Sequence, residues 1–360
     1  MTHPFAHPFE GASWRGVMRR DAVLPTLPPT VLLHAGPPIV GAVPIPIRHA
    51  AIQALLFEGI AIDSDDATRM LMHGEVRLAP AQDHGVATPL AQVVSASMPM
   101  AVVGDDAAVA YAPLIEGPPP ALRFGTQDPS AQARLTAVGA LGLQRLDPLL
   151  RNHPVSMSAV IAHALGDGDE CHGRTVAANA ALVASLPMMS LEDKAAIQGN
   201  AGFVLPILMA TACWHLRRQR RGIAAVGGNG TAFGLRMHGA QAWLTVPARP
   251  PVGPRFPGKE ANRALGAIGD SAVIDICGLG GQALTQAPQL VGEWQSWLPD
   301  DWSTRRTGLV DPLSGIVDIA RVRQAGRAPL VNLAILDEAG ESGLVGRGFY
   351  EPPPELFVNA

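Results

Sequence analysis

Hydrophobic and polar positions change their rhythm twice along the chain. Between about residues 30 and 129, short apolar runs alternate with compact helical segments. Val31–Ile39 reads as a strand running into a Gly-Pro-Pro turn that presents His34. Ile47–Glu58 carries a helical pattern with Gly59 at the C′ position, and Ser64–His73 reads as a second helix with Ser64 as N-cap and Gly74 as its stop. Glu75–Ala79 returns to a strand pattern, so the order predicts a small α/β layer. Residues 80–125 are rich in loops around β-type runs at Pro99–Val103 and Val109–Leu114, with Glu116 and Arg123 at loop ends. Polar groups at strand ends are common ligand contacts in α/β proteins, although each taken singly is more often an ordinary turn residue.

From Ser130 to about Arg221 apolar residues recur at i, i+3 and i+4 (Leu135, Val138, Leu141; Val160, Ala164), which predicts a helical region. Gly199-Asn200 interrupts it before the apolar helix Phe203–Leu216, which ends in Arg217, Arg218, Arg220 and Arg221. Beyond 222 the chain reads as short strands at Ile223–Val226, Arg236–His238, Ala242–Val246, Gly315–Ile319 and Leu330–Leu336. Two glycine-rich elements, Gly227–Gly234 and Gly269–Gly281, lie among them, the second leading into a helix at Gln282–Trp294. Such turns bring backbone N–H groups close to an anion, but neither has a P-loop or dinucleotide fingerprint. Residues 1–29, rich in Pro and Gly, read as an arm lying against another surface. The pattern predicts an α+β chain: arm 1–29, first α/β domain 30–129, helical domain 130–221 and second α/β domain 222–360.

Composition narrows the function classes. A net charge of −4 with 16% charged residues gives no electrostatic reason to expect nucleic acid or an acidic membrane as partner. The longest apolar run, Ala201–Trp214, is too short to span a bilayer, and no secretory leader pattern is present, so a cytoplasmic protein is expected. Three cysteines without CxxC spacing (Cys171, Cys213, Cys277) predict reduced thiols. The 27 basic residues comprise two lysines, Lys194 and Lys259, and therefore 25 arginines. Arginine suits bidentate binding of carboxylate or phosphate.

The densest chemistry falls in Gly166-Asp-Gly-Asp-Glu-Cys-His-Gly-Arg-Thr175, just before the apolar run Val176–Leu186. Acid, thiol, imidazole and guanidinium sit together at a helix start, where free backbone N–H groups favour anions. The structural alternative is a plain acidic helix start capped by Asp169 or Glu170. The four groups Asp167, Asp169, Glu170 and His172 lack HxH or HExxH spacing, so no metal and no cofactor are expected.

Nine short motifs, in order, carry a resemblance: His34-Ala-Gly-Pro-Pro-Ile, Phe57-Glu-Gly, Ser97-Met-Pro-Met, Glu116-Gly, Leu122-Arg-Phe-Gly, Gly168-Asp-Glu-Cys-His, Asn229-Gly with Phe233-Gly, Gly269-Asp-Ser and Gly278-Leu-Gly-Gly. From about residue 28 onward the chain resembles the AllG (YlbE-like) family, whose best-described member is a subunit of the bacterial oxamate carbamoyltransferase of allantoin breakdown. The resemblance implies an α+β protein with two mixed domains and a helical insert. It further implies a reaction interconverting oxalurate and phosphate with oxamate and carbamoyl phosphate, and an oligomer with itself or with other carbamoyltransferase subunits. On this reading Glu170, His172 and Asp270 are the candidates for proton transfer. His34, Glu116, Arg123, Arg174, Gly228, Asn229, Gly230 and Ser271 are the candidates for binding a small amide or carbamoyl substrate. Two alternatives stand beside it: hydrolysis of a related amide or ureido compound, with Cys171 as nucleophile, and a scaffold subunit without chemistry of its own. If the first reading holds, Glu116, Arg123, Glu170, His172, Arg174, Asn229 and Asp270 should converge, with at least four of them lining one cleft.

Overall fold

The computed structural model describes residues 3–186 and 188–360. Helices and strands are mixed throughout, which makes the fold α+β. Its strands are β1 (Ser13–Arg19), β2 (Val31–His34), β3 (Arg77–Pro80), β4 (Pro99–Gly104), β5 (Val109–Pro113), β6 (Val155–Ser156), β7 (Ile223–Asn229), β8 (Ala232–Met237), β9 (Leu244–Pro247), β10 (Ile268–Gly269), β11 (Val331–Leu336) and β12 (Leu344–Tyr350).

Residues 13–19 are not part of a free arm. Trp14 and Val17 are fully buried, and β1 lies inside an antiparallel sheet of order β5-β4-β1-β6. That sheet draws strands from residues 1–29, 30–129 and 130–221 alike, so it crosses the divisions expected from the pattern. Alternation in Ser13–Arg19 is weak, and the apolar partners that make it a strand lie some ninety residues away, in Trp14↔Val103 and Val17↔Ala101.

The β2–β3 pair is parallel, and the helices Ile45–Phe57 and Ser64–Met72 form its crossover. The second of these starts one residue earlier than expected: Ser64 is already helical, and Asp63, extended at φ −153°, accepts the Asp66 N–H at 2.8 Å. In the centre, Val204–Arg217 is buried almost all round, as a helix apolar on every side must be. It packs on β4, β5 and β7.

The second antiparallel sheet has the order β10-β7-β8-β9. Its hairpin corrects the reading of Gly227–Gly234 as an anion-cradling loop. Gly227 and Gly228 pair with Gly234 and Phe233 inside the β7–β8 ladder, leaving Gly230-Thr231 as the turn. The expected helix Gln282–Trp294 divides into two 3₁₀ turns and a short helix that starts at Pro288, where proline's missing N–H is harmless. Gly315–Ile319 forms no strand. It contributes one bridge, Val310↔Val317, and Asp318 then caps the helix Ile319–Ala325. Among the described residues, no helix is long and apolar enough to cross a membrane.

Candidate functional site

The segment between the helices Met157–Gly166 and Val176–Ala184 is built by its own acids. Asp169 Oδ2 accepts the N–H groups of Ala177 and Ala178 at 2.6 and 3.1 Å, so a carboxylate seven residues upstream satisfies the orphan amides of the second helix. Its other oxygen sits 3.0 Å from Arg174 Nε. Glu170, fully buried, accepts the N–H of Gly173 and, at 2.9 Å, that of Arg174, closing the loop into a tight ring. Asn332 Nδ2 on β11 donates to Glu170 Oε1 at 2.7 Å. Burial pushes the Glu170 carboxyl up, against the charge of His172 and these hydrogen bonds.

The ring turns His172 toward Asp275, on the helix Ala272–Ile276, with Nδ1 at 2.8 Å from Asp275 Oδ2. Asp275 Oδ1 accepts the N–H groups of Gly281 (2.7 Å) and Asn332 (3.0 Å). Burial alone would pull the His172 pKa down, but the Asp275 charge, its hydrogen bond and the Glu170 charge together hold it above the ordinary imidazole value. Nε2 is then the ring nitrogen left over for a ligand.

His172 lines a cavity of about 280 Å³. Arg123, Arg174 and Arg347 line it too, each from a different element, and among the described residues no carboxylate side chain does. Leu90, Ile115, Phe124, Trp294 and Leu344 supply apolar wall. Arg123 stands on the 3₁₀ turn Leu122–Phe124, its guanidinium 4.3 Å from the Phe124 ring centre and 3.9 Å from buried Glu116 Oε2. Burial draws its pKa down to about 10, with Glu116 opposing, so it stays charged at neutral pH. Its Nη1 is buried without a hydrogen bond among the described residues. Among the described residues, two non-glycine residues have positive φ: Leu90 (48°), on the cavity wall, and Cys171 (72°), directly before His172. Backbone strain of this kind concentrates at functional sites.

Of the seven residues expected to converge, Arg123, His172 and Arg174 line the cavity; Glu116 and Glu170 lie directly behind them. Four lining side chains are therefore not reached. Ser271 lines it as well, whereas Asp270 does not. The Asp270 carboxylate is fully buried and accepts from Gly36 N, Gln82 Nε2 and Thr88 N at 2.8, 2.6 and 2.9 Å, a clamp between three loops. Asn229 is likewise structural, with Oδ1 bonding Thr231 and Ala232 and Nδ2 bonding Pro37 O. Gly228 and Gly230 belong to the hairpin. His34, at the end of β2, is held near pKa 4 by burial and does not reach the cavity. Cys171 is buried, and burial with the charges of Glu170 and Asp169 pushes its thiol well up. Asp275, Asn332 and Arg347 escaped the sequence reading. Asp275 sits in a short, apolar helix and Asn332 in an apolar strand run, where a lone polar residue inside the pattern was the available signal.

Comparison with known proteins adds the family context. The model of a family described as oxamate carbamoyltransferase subunit AllG matches residues 76–271. The oxamate carbamoyltransferase subunit AllG of Escherichia coli (strain K12) is 30% identical, over 91% of this chain and 88% of that protein. The uncharacterized protein YahG of the same organism is 29% identical, over 94% of this chain and 79% of that protein. Among solved structures, a conserved protein of unknown function from Enterococcus faecalis V583 superposes with a TM-score of 0.85 at 26% identity, covering 99% of this chain and 94% of that one.

Proposed function

Because the chain belongs to the AllG family of oxamate carbamoyltransferase subunits, we propose that the arginine-lined cavity is a carbamoyl-transfer site in which His172 moves the proton. The reaction is oxalurate plus phosphate giving oxamate plus carbamoyl phosphate. A phosphate oxygen attacks the ureido carbon, an oxyanion develops there, and the bond from that carbon to the oxamate nitrogen breaks. The departing nitrogen needs a proton, which hydrogenphosphate has given up. His172, taking it on one side and giving it on the other, balances the step. Asp275 on Nδ1 fixes the ring and favours its cationic form, leaving Nε2 for the substrate.

The arginines match the anions on both sides of the equation. Oriented guanidinium groups in a largely apolar cavity also stabilise a developing oxyanion more than water would. The observation that carries the reading is the His172–Asp275 pair opening on a cavity lined by three arginines and, among the described residues, no carboxylate. Nothing comparable supports Cys171 as a nucleophile, since its thiol is buried, raised in pKa and absent from the cavity wall. The family name describes a subunit, so partner chains belong to the proposal.

The test is phosphate release from carbamoyl phosphate with and without oxamate, using this chain alone and together with the other subunits of the assembly. Oxamate-dependent release that disappears in His172→Gln is the expected result. Absence of turnover in both preparations, or full activity of the variant, overturns it.

A further inference from the structure

We infer that Asn332 reads an N–H group on the bound anion, so that the cavity selects a small carboxylate carrying an amide or ureido nitrogen over oxo acids and dicarboxylates. The inference rests on the carbamoyl-transfer reading of the cavity and adds a residue that sets its specificity. Asn332 sits on β11, fully buried, and lines the cavity. Its backbone N–H goes to Asp275 Oδ1 and its side-chain Nδ2 to Glu170 Oε1 at 2.7 Å.

The amide orientation follows from Glu170. The same Oε1 accepts the Gly173 N–H, so it faces two donors and carries no proton of its own. The NH₂ end of Asn332 therefore points to Glu170, and the other end is Oδ1. That oxygen is buried without a partner among the described residues. Two donors on residues that line the cavity share this condition, Arg123 Nη1 and Trp294 Nε1. Arginine and tryptophan can only donate, whereas Ser271 can do either. Asn332 Oδ1 is thus a buried, committed acceptor on a residue that lines the same cavity as these donors.

A ligand with a carboxylate and a neighbouring N–H satisfies both kinds of group. One with a methyl group in place of the nitrogen leaves Oδ1 unpaired. One with a second carboxylate brings a repelling oxygen to it. Sites built around a hydrogen bond discriminate strongly against analogues lacking the partner.

The probes are oxamate, pyruvate and oxalate, titrated calorimetrically into the full chain and into Asn332→Ala. The wild-type chain is expected to bind oxamate on the order of ten- to a hundredfold more tightly than pyruvate or oxalate. In the variant that ratio collapses toward one. A purely structural role for Asn332 would weaken all three ligands together and leave the ratio unchanged, which overturns the inference. Equal wild-type affinities overturn it too, yet leave the anion cavity standing. Failure of all three to bind overturns both the inference and the proposed site.

Discussion

His172 and Asp270 are both buried titratable groups, and their surroundings push them toward opposite uses. The imidazole has one carboxylate within hydrogen-bonding distance and an open cavity beside it. A ring that must donate its proton loses activity as pH rises through its pKa, so the raised pKa extends phosphorolysis upward in pH. Asp275→Asn removes the countercharge, and the alkaline limb of kcat/KM should shift to lower pH by about a unit or more, with a loss on the order of a hundredfold. A pH–rate profile of the two proteins checks this. Asp270 instead faces three donors and no cavity. Burial lifts it to about 7 from an ordinary 3.8, so the folded chain holds its proton where the unfolded chain has lost it. Its contribution to stability is accordingly largest below about pH 4 and declines as pH rises toward 7. Asp270→Ala should flatten that decline and, by stranding three buried donors, cost about 3 kcal/mol in denaturant unfolding. Oxamate affinity should not move, because neither Asp270 nor the three residues it bonds line the cavity.

Elements whose cause is local could be read from the residues, and those whose cause is distant could not. The helices at 45–57 and 204–217 follow from their own apolar rows and glycine or arginine ends. The importance of residues 166–175 was also legible, because acids crowded before a helix must either cap it or bind something. Here Asp169 and Glu170 cap and brace the loop while His172 and Arg174 reach the cavity. The glycine-rich stretch at 227–230 misled because a tight hairpin and an anion loop ask for the same residues. What separates them is the ladder partner, Gly234 or Phe233, and the close approach of another chain segment. A Cβ on Gly36 would stand 2.4 Å from Gly228 C, so that glycine serves packing between β2's turn and β7. Gly230, at φ +90°, would drive a Cβ to 2.9 Å from Leu265 Cδ2. Gly230→Ala should therefore destabilise the fold by about 1–2 kcal/mol while leaving kcat/KM unchanged. A loss of phosphate or substrate affinity in a still-folded variant would restore the anion-loop reading.

Across the whole molecule, the cavity is assembled from segments far apart in the chain: Leu90 and Arg123, the loop at 172–176, Ser271, Asn332 and Arg347. No one of the expected domains contains it, and the sheet β5-β4-β1-β6 ties three of them together. The N-terminal residues are part of that bracing. His3 Nε2 lies 3.2 Å from Gln286 Oε1, the Arg306 guanidinium packs 3.3 Å from the Phe5 ring centre, and Phe9 stands beside His215 at the end of the central helix. Removing residues 1–20 deletes β1, exposes the edges of β4 and β6, and takes Phe9, Trp14 and Val17 out of the core. Burying one such aromatic side chain is worth about 3–5 kcal/mol by truncation data, so losing two of them with a strand exceeds the stability of most domains. The truncated chain should be insoluble, or compact with its near-ultraviolet circular dichroism lost and no cooperative thermal transition. An arm that merely touched a partner would give the opposite result: a folded chain with wild-type Tm, deficient only in assembly by size-exclusion with light scattering. Scanning calorimetry of the truncated and full-length proteins, side by side, decides between them.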